Sequence, residues 1–261
     1  MKGNTPLAAN RESIQHQASS PAFRLAGDEA QIWVASLEKS PRVVAGFSAL
    51  LSPDEKDHAG RFHFERDRRR YTVGRGLLRM MLGAFLATKP EQVVFCYGAY
   101  GKPALDRRVH EQTLQFNLSH SNELALFIFC RDRPAGIDVE YVRPMPDEAD
   151  FAERFFSSSE SALISSLSGE QRRIAFFKLW TCKEAYLKAN GDGLADSLNE
   201  VVFSFGEADT ARVVSIHGDE KRAASWRMEM FRPAQGYQAA CAIEGSAGQL
   251  VFRNADDYFP N

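Results

Sequence analysis

Trp180, Glu184 and Lys188 lie four residues apart within FFKLWTCKEAYLKANGDGL, Phe176 to Leu194. Glu170 to Ala189 is rich in helix formers and free of proline, and Asn190-Gly191 supplies a stop, so the spacing predicts one row on a long helix. A carboxylate between an indole and an ammonium, with Ile174, Phe176, Phe177, Leu179, Tyr186 and Leu187 around it, is costly beside a core unless it has a charged partner. It is either an i,i+4 ion pair on an exposed rim or a group held there for chemistry. Asp138 and Glu140 give a second signal. Ala135-Gly136-Ile137-Asp138-Val139-Glu140 alternates with the period of a strand, so both carboxylates leave one side while Ile137 and Val139 leave the other. Acids that close raise one another's pKa unless a cation sits between them. Hard oxygen donors of this kind suit magnesium, which also binds substrate phosphates. Together with Glu184 they make a candidate three-carboxylate site.

Cations are concentrated elsewhere. Arg61, His63, Arg66, Arg68, Arg69, Arg70, Arg75 and Arg79 accompany an apolar stripe of Tyr71, Leu78, Met81, Leu82 and Phe85, which predicts an amphipathic helix with a basic side. That side suits solvent, a phosphate-rich ligand or nucleic acid. Lys102 is fixed at a turn by Gly98-Ala99-Tyr100-Gly101-Lys102-Pro103. In Phe116 to Ser121, the hydroxyls of Ser119 and Ser121 flank His120. They suit donation to a phosphate, a capped turn around a satisfied histidine, or a hydrolytic Ser-His pair. The last is disfavoured because the two residues are adjacent and no G-x-S-x-G elbow is present. Ser157-Ser158-Ser159-Glu160 reads as a capping box; Glu160 serves that helix end or reaches the same cation through a water molecule.

The elements that must position these groups are legible in outline. A chain of 261 residues with 44% apolar and 25% charged residues is globular, between one large domain and two smaller ones. A formal net charge of -2 argues against general nucleic-acid binding. Cys96, Cys130, Cys182 and Cys241 form no C-x-x-C pair; reduced thiols, and with them a cytoplasmic location, are expected. No run is long and apolar enough for a membrane span or secretory signal. Residues 1–28 read as a flexible arm. Strands are expected at Gln31–Leu37, Gln92–Tyr97 and Leu124–Cys130, and a helix starts at Ser52-Pro53-Asp54-Glu55. Beyond the acidic strand come a short helix over Asp147–Phe156, the long helix, and strands at Val201–Phe205, Ala211–Ile216, Ala224–Phe231 and Tyr237–Ile243. The expected class is α+β: two similar lobes in pseudo-twofold arrangement, each an antiparallel sheet with packed helices, over 29–134 and 135–261. The basic helix then falls in one lobe, the acidic ligands in the other, and a ligand cleft between them.

GKP (Gly101–Pro103), FNLSHS (Phe116–Ser121), GIDVE (Gly136–Glu140), FFSSSE (Phe155–Glu160) and WTCKEAYLKANGDGL (Trp180–Leu194) resemble the ordered motifs of the 4'-phosphopantetheinyl transferase superfamily. The length and doubled organisation resemble its broad-specificity, surfactin-synthetase-activating type. The resemblance spans about Gln31 to Val251. It implies a monomeric enzyme that moves the phosphopantetheine arm of coenzyme A to a serine of an apo acyl or peptidyl carrier protein, releasing adenosine 3',5'-bisphosphate. Asp138, Glu140 and Glu184 would be the magnesium ligands, with manganese as a substitute, and Lys188 the lysine at the reacting phosphates. Lys102, Ser119 and His120 would bind coenzyme A, with His120 at the 3'-phosphate, and Arg61 and Arg70 would join that basic surface. Glu160 matches the acidic position near the metal's water shell. Asp192 departs from the pattern, because relatives often carry a basic residue there. The chemistry agrees: Glu184, directly or through water, would take the serine proton while Lys188 stabilises or protonates the leaving phosphate. The carrier would dock on the rim of the cleft. The alternative is a metal-dependent nucleotide or coenzyme A phosphohydrolase; a nucleic-acid module leaves the three carboxylates unexplained.

Overall fold

The computed structural model describes residues 20–110, 113–191, 198–206, 210–245 and 248–259. The first lobe runs β1 (Ala30–Ser36), α1 (Pro41–Leu50), α2 (Pro53–Gly60), α3 (Glu65–Leu86), β2 (Phe95–Tyr97), β3 (Pro103–Leu105), β4 (Leu114–Ser121) and β5 (Leu124–Arg131). The second runs β6 (Ala135–Tyr141), α4 (Glu148–Phe155), α5 (Ser158–Ser166), α6 (Gly169–Asn190), β7 (Val201–Phe205), β8 (Ala211–Ile216), α7 (Glu220–Ala224), β9 (Trp226–Phe231) and β10 (Tyr237–Glu244). A last strand, β11 (Leu250–Asn254), follows.

The lobes repeat one plan. The first sheet contains the order β1-β5-β4 and the second is β6-β10-β9, while β2 pairs with β3 and β7 with β8. The alternation of each strand explains the layering. Ile32, Leu126 and Ile128 of the first sheet meet Ile137, Val139, Ala239 and Cys241 of the second in a shared apolar layer. The opposite faces carry Trp33, Phe127 and Phe129 into the first-lobe core and Ala240 and Ala242 into the second. Asp138 and Glu140 therefore leave the face of β6 that α6 covers.

The duplication extends to buried ions. In the first lobe Glu55 accepts from Ser52 N (3.0 Å) in a capping box and pairs with Arg75 and Arg79. Arg79 Nη1 then donates to the carbonyls of Pro90 and Val93 (3.0 and 2.9 Å). In the second, Glu160 accepts from Ser157 N (2.8 Å) and pairs with Lys183 (2.9 Å). Lys183 Nζ donates to the carbonyls of Leu198 and Val201, each at 2.6 Å. Arg79 and Lys183 are the fifteenth residues of α3 and α6. The same count matches Glu184 and Lys188 to Met80 and Ala84, and counting along β1 and β6 matches Asp138 and Glu140 to Trp33 and Ala35. The first lobe fills with core what the second leaves to charge.

Several expectations change. Arg75 and Arg79 are buried, so the basic side of α3 is narrower than its sequence suggests. Glu55, itself buried, draws both guanidinium groups inward, because an unpaired buried charge costs several kcal/mol. Phe116–Ser121 lies within a strand, paired along β5 from Leu114↔Arg131 to Ser121↔Leu124, and is not a turn. Helix α1 has no counterpart in the sequence pattern, although Ser40 caps it from Val43 N and Pro41 opens it. Of the expected arm, residues 1–19 lie outside the described residues, but 20–28 are folded: Phe23 is buried and stacks on Trp33 at 4.9 Å. The division at 135 leaves one crossing, since β11 runs parallel to β1 from Ala30↔Leu250 to Val34↔Asn254 and so extends the first-lobe sheet. Asp256 anchors this return, accepting from Lys39 Nζ (2.7 Å) and Ser36 N (3.2 Å).

Candidate active site

Small residues make the site. At Gly136 a Cβ atom would lie 2.1 Å from the Ala185 carbonyl and 2.4 Å from Ala189 N, closer than any side chain tolerates. Helix α6 therefore rests on the bare backbone of β6, with Ala240 and Ala242 of β10 beside it. That seating brings Glu184 and Lys188 down onto Asp138. Lys188 Nζ donates to Asp138 Oδ1 at 2.5 Å and to Ser119 Oγ at 2.9 Å, and Ser119 Oγ donates to the same carboxylate oxygen at 2.8 Å. Glu140 Oε2 accepts from Ser121 Oγ at 2.8 Å.

Charge and burial act against each other here. Burial, aided by Asp138 and Glu140 and opposed by Lys188, pushes Glu184 up from 4.5 to about 7. Burial and then Asp138 raise Glu140 as well, against Ser121 and Lys188. Burial alone would lower Lys188, but Asp138, Glu184 and Glu140 hold it above its usual value. Asp138 and Glu140 thus act on Glu184 from a separate element, a meeting that the sequence spacing alone does not establish.

Two buried oxygens, Asp138 Oδ2 and Glu184 Oε1, have no hydrogen-bond partner among the described residues. Orphaned anionic oxygens beside Glu140 form an all-oxygen donor set, which fits a hard divalent cation such as magnesium. As placed, no group of three such side chains among the described residues stands ready to hold a metal. The nearest cation to Asp138 is the Lys188 ammonium instead.

The remaining expected residues divide. Lys102 reaches from the first lobe to the end of α6, where its Nζ donates to the Ala189 carbonyl at 2.8 Å. Gly191 closes that helix at φ +83°, a conformation that favours glycine. Burial lowers the Lys102 pKa. His120 lies near the end of β4; desolvation by the groups around its ring, then Lys188 and Arg70, lower its pKa. Arg70 Nη2 donates to Asn122 Oδ1 at 2.9 Å, and its Nε is buried without a partner among the described residues. Arg61 lines a cavity of about 460 Å³ with His58, Tyr71, Arg75 and Tyr97. A second cavity of about 200 Å³ is lined by Lys102, Asn117 and Lys188, and the two share Gly101. Gly101 thus lies between the cationic surface of the first lobe and the cavity that Lys188 lines.

Glu160 stands apart from the cluster. Its oxygens go to Ser157, to Lys183 and to Phe203 N (2.8 Å), so it serves the helix end as a capping box. Trp180 packs on Phe151 and Phe176 at 5.5 and 6.2 Å between centroids, as part of the core. Asp192 lies outside the described residues. Sequence reasoning passed over Asn117, Lys183 and Gly136. For Lys183 a signal existed, a lysine amid apolar residues at the same place in the second helix as Arg79 in the first.

Two family models match the chain. One described as the 4'-phosphopantetheinyl transferase superfamily matches residues 134–242. Another, described as 4'-phosphopantetheinyl transferase, N-terminal, matches 38–129. The 4'-phosphopantetheinyl transferase HetI of Nostoc sp. is 41% identical over 232 residues, 89% of this chain and 94% of its own. A relative from Synechocystis sp. is 36% identical over 66% of this chain and 69% of its own. The 4'-phosphopantetheinyl transferase Sfp of Bacillus subtilis is 29% identical over 57% of this chain and 64% of its own.

Proposed function

Because this chain belongs to the 4'-phosphopantetheinyl transferase superfamily, we propose that it transfers the phosphopantetheine arm of coenzyme A to a serine hydroxyl of an apo carrier protein, releasing adenosine 3',5'-bisphosphate. The observation that carries the reading is the meeting of Lys188 with Asp138 beside Glu184, with two buried carboxylate oxygens unpartnered. We further propose that it is of the broad-specificity, surfactin-synthetase-activating type, works as a monomer, and uses neither nucleic acid nor a membrane as partner.

Asp138, Glu140 and Glu184 would hold magnesium, or manganese in its place. When bound, the ion supplies neutralisation of charge at the pyrophosphate. The chain's own groups do the rest. Arg61, Arg70, His120 and Lys102 face the nucleotide end, and His120 becomes protonated against the 3'-phosphate. The serine oxygen forms a bond to the pantetheine-side phosphorus as the bond from that phosphorus to the bridging oxygen breaks. Glu184, directly or through water, accepts the serine proton. Lys188 stabilises the departing phosphate oxygen. Ser119 enters differently from expectation: its hydroxyl donates to Asp138 and accepts from Lys188 and Val139 N. It can reach a phosphate only by giving up one of those bonds.

The test is a panel of apo acyl and peptidyl carrier proteins incubated with coenzyme A and magnesium. The expected result is a mass gain of one phosphopantetheine arm on the carrier serine, matched by adenosine 3',5'-bisphosphate. Coenzyme A lost at the same rate without any carrier would point to a phosphohydrolase instead.

A further inference from the structure

The two sheets approach each other at their edges, β4 of the first and β6 of the second. No backbone ladder joins these strands. Three side chains of β4, spaced two residues apart, do so instead: Ile137 N donates to Asn117 Oδ1 (3.0 Å), Val139 N to Ser119 Oγ (3.4 Å) and Tyr141 N to Ser121 Oγ (3.0 Å). The separation is twenty residues each time, so the strands run parallel and in register. These are the amides on the side of β6 away from β10, which an edge strand otherwise leaves to water.

A serine hydroxyl has one proton to give. Since Ser119 and Ser121 accept from backbone amides, the proton of each turns to a carboxylate, Asp138 Oδ1 and Glu140 Oε2, both at 2.8 Å. The groups that fasten the lobes together are thus the groups that aim the acids. We propose that this comb on β4 is a positioning device for the metal-binding carboxylates, and that Ser121 is the positioning residue for Glu140. By holding Oε2, Ser121 fixes which oxygen Glu140 presents to the divalent cation and ties it to the strand that carries His120. The inference rests on the proposed function, since it takes Glu140 as a metal ligand. Loss of such a partner typically weakens metal binding ten- to a hundredfold.

Two measurements test it. Magnesium titrated calorimetrically into the protein saturated with coenzyme A should bind about tenfold more weakly to Ser121→Ala. Ser121→Thr, which keeps the hydroxyl, should restore most of the affinity, and coenzyme A affinity in chelator should change less than twofold. In the unaltered protein, the amides of Ile137, Val139 and Tyr141 should be protected from hydrogen exchange, and Ser121→Ala should release Tyr141 first. A parent that binds no magnesium overturns the proposed function together with this inference. A parent that binds it while Ser121→Ala binds as tightly overturns the inference alone. So does equal weakening in Ala and Thr variants, or unprotected amides at these positions in the parent.

Discussion

Glu184→Gln should make the metal-free protein more stable in alkaline than in acidic solution, relative to its parent. Glu184 is 9% exposed, one of its oxygens lacks a partner among the described residues, and its pKa moves from 4.5 to about 7. At about 1.36 kcal/mol per pKa unit, ionising it in the fold is about 3 kcal/mol harder than in the unfolded chain. Between those two values the folded state holds more protons than the unfolded one, so stability falls as pH rises. The penalty is absent below 4.5 and complete above 7. A glutamine keeps the volume and removes the titration. Urea unfolding with chelator at pH 5 and pH 8 should therefore show the variant's advantage over the parent growing by about 2–3 kcal/mol between the two. Saturating magnesium should erase that advantage by stabilising only the parent. A parent–variant difference that is the same at both pH values would refute the burial argument.

Gly136→Ala should cost about 1–3 kcal/mol or more, because the methyl must push α6 off β6, and transfer should fall with it; an unchanged melting temperature would show that the helix is not seated this closely. Lys183→Met should cost about 3–5 kcal/mol in urea unfolding by stranding Glu160, with magnesium affinity of the folded fraction unaltered; a large loss of magnesium affinity would return Glu160 to the metal's surroundings. His120→Ala should weaken coenzyme A more than 3'-dephospho-coenzyme A. Calorimetry in two buffers near pH 6.5 should show proton uptake on coenzyme A binding to the parent, since the imidazole pKa starts low and a phosphate raises it. That uptake should vanish in the variant, and equal uptake by both would exclude His120 as its source.

Where the pattern was local, the sequence was sufficient. The alternation of residues 135–140 and the i,i+4 row on α6 both appear as expected, and the capping boxes at Ser52 and Ser157 form. What it could not disclose was which charges turn inward. Arg75 and Arg79 look like their exposed neighbours until Glu55, 20 and 24 residues away, is folded against them. Lys183 and Glu160 repeat that case in the second lobe. Nor does FNLSHS show that its alternate side chains replace a missing ladder, since β4 meets β6 only when the sheets pack. The return of β11 to β1 pairs residues more than two hundred positions apart, beyond the reach of periodicity.

A crystal structure with coenzyme A and magnesium tests the central claim most directly. It should place one metal ion on Asp138, Glu140 and Glu184, with metal–oxygen distances of about 2.1 Å and the pyrophosphate completing the shell. Lys188 should have left Asp138 for a phosphate oxygen. An ion bound elsewhere, with the Lys188–Asp138 pair intact and the three carboxylates untouched, would contradict the account.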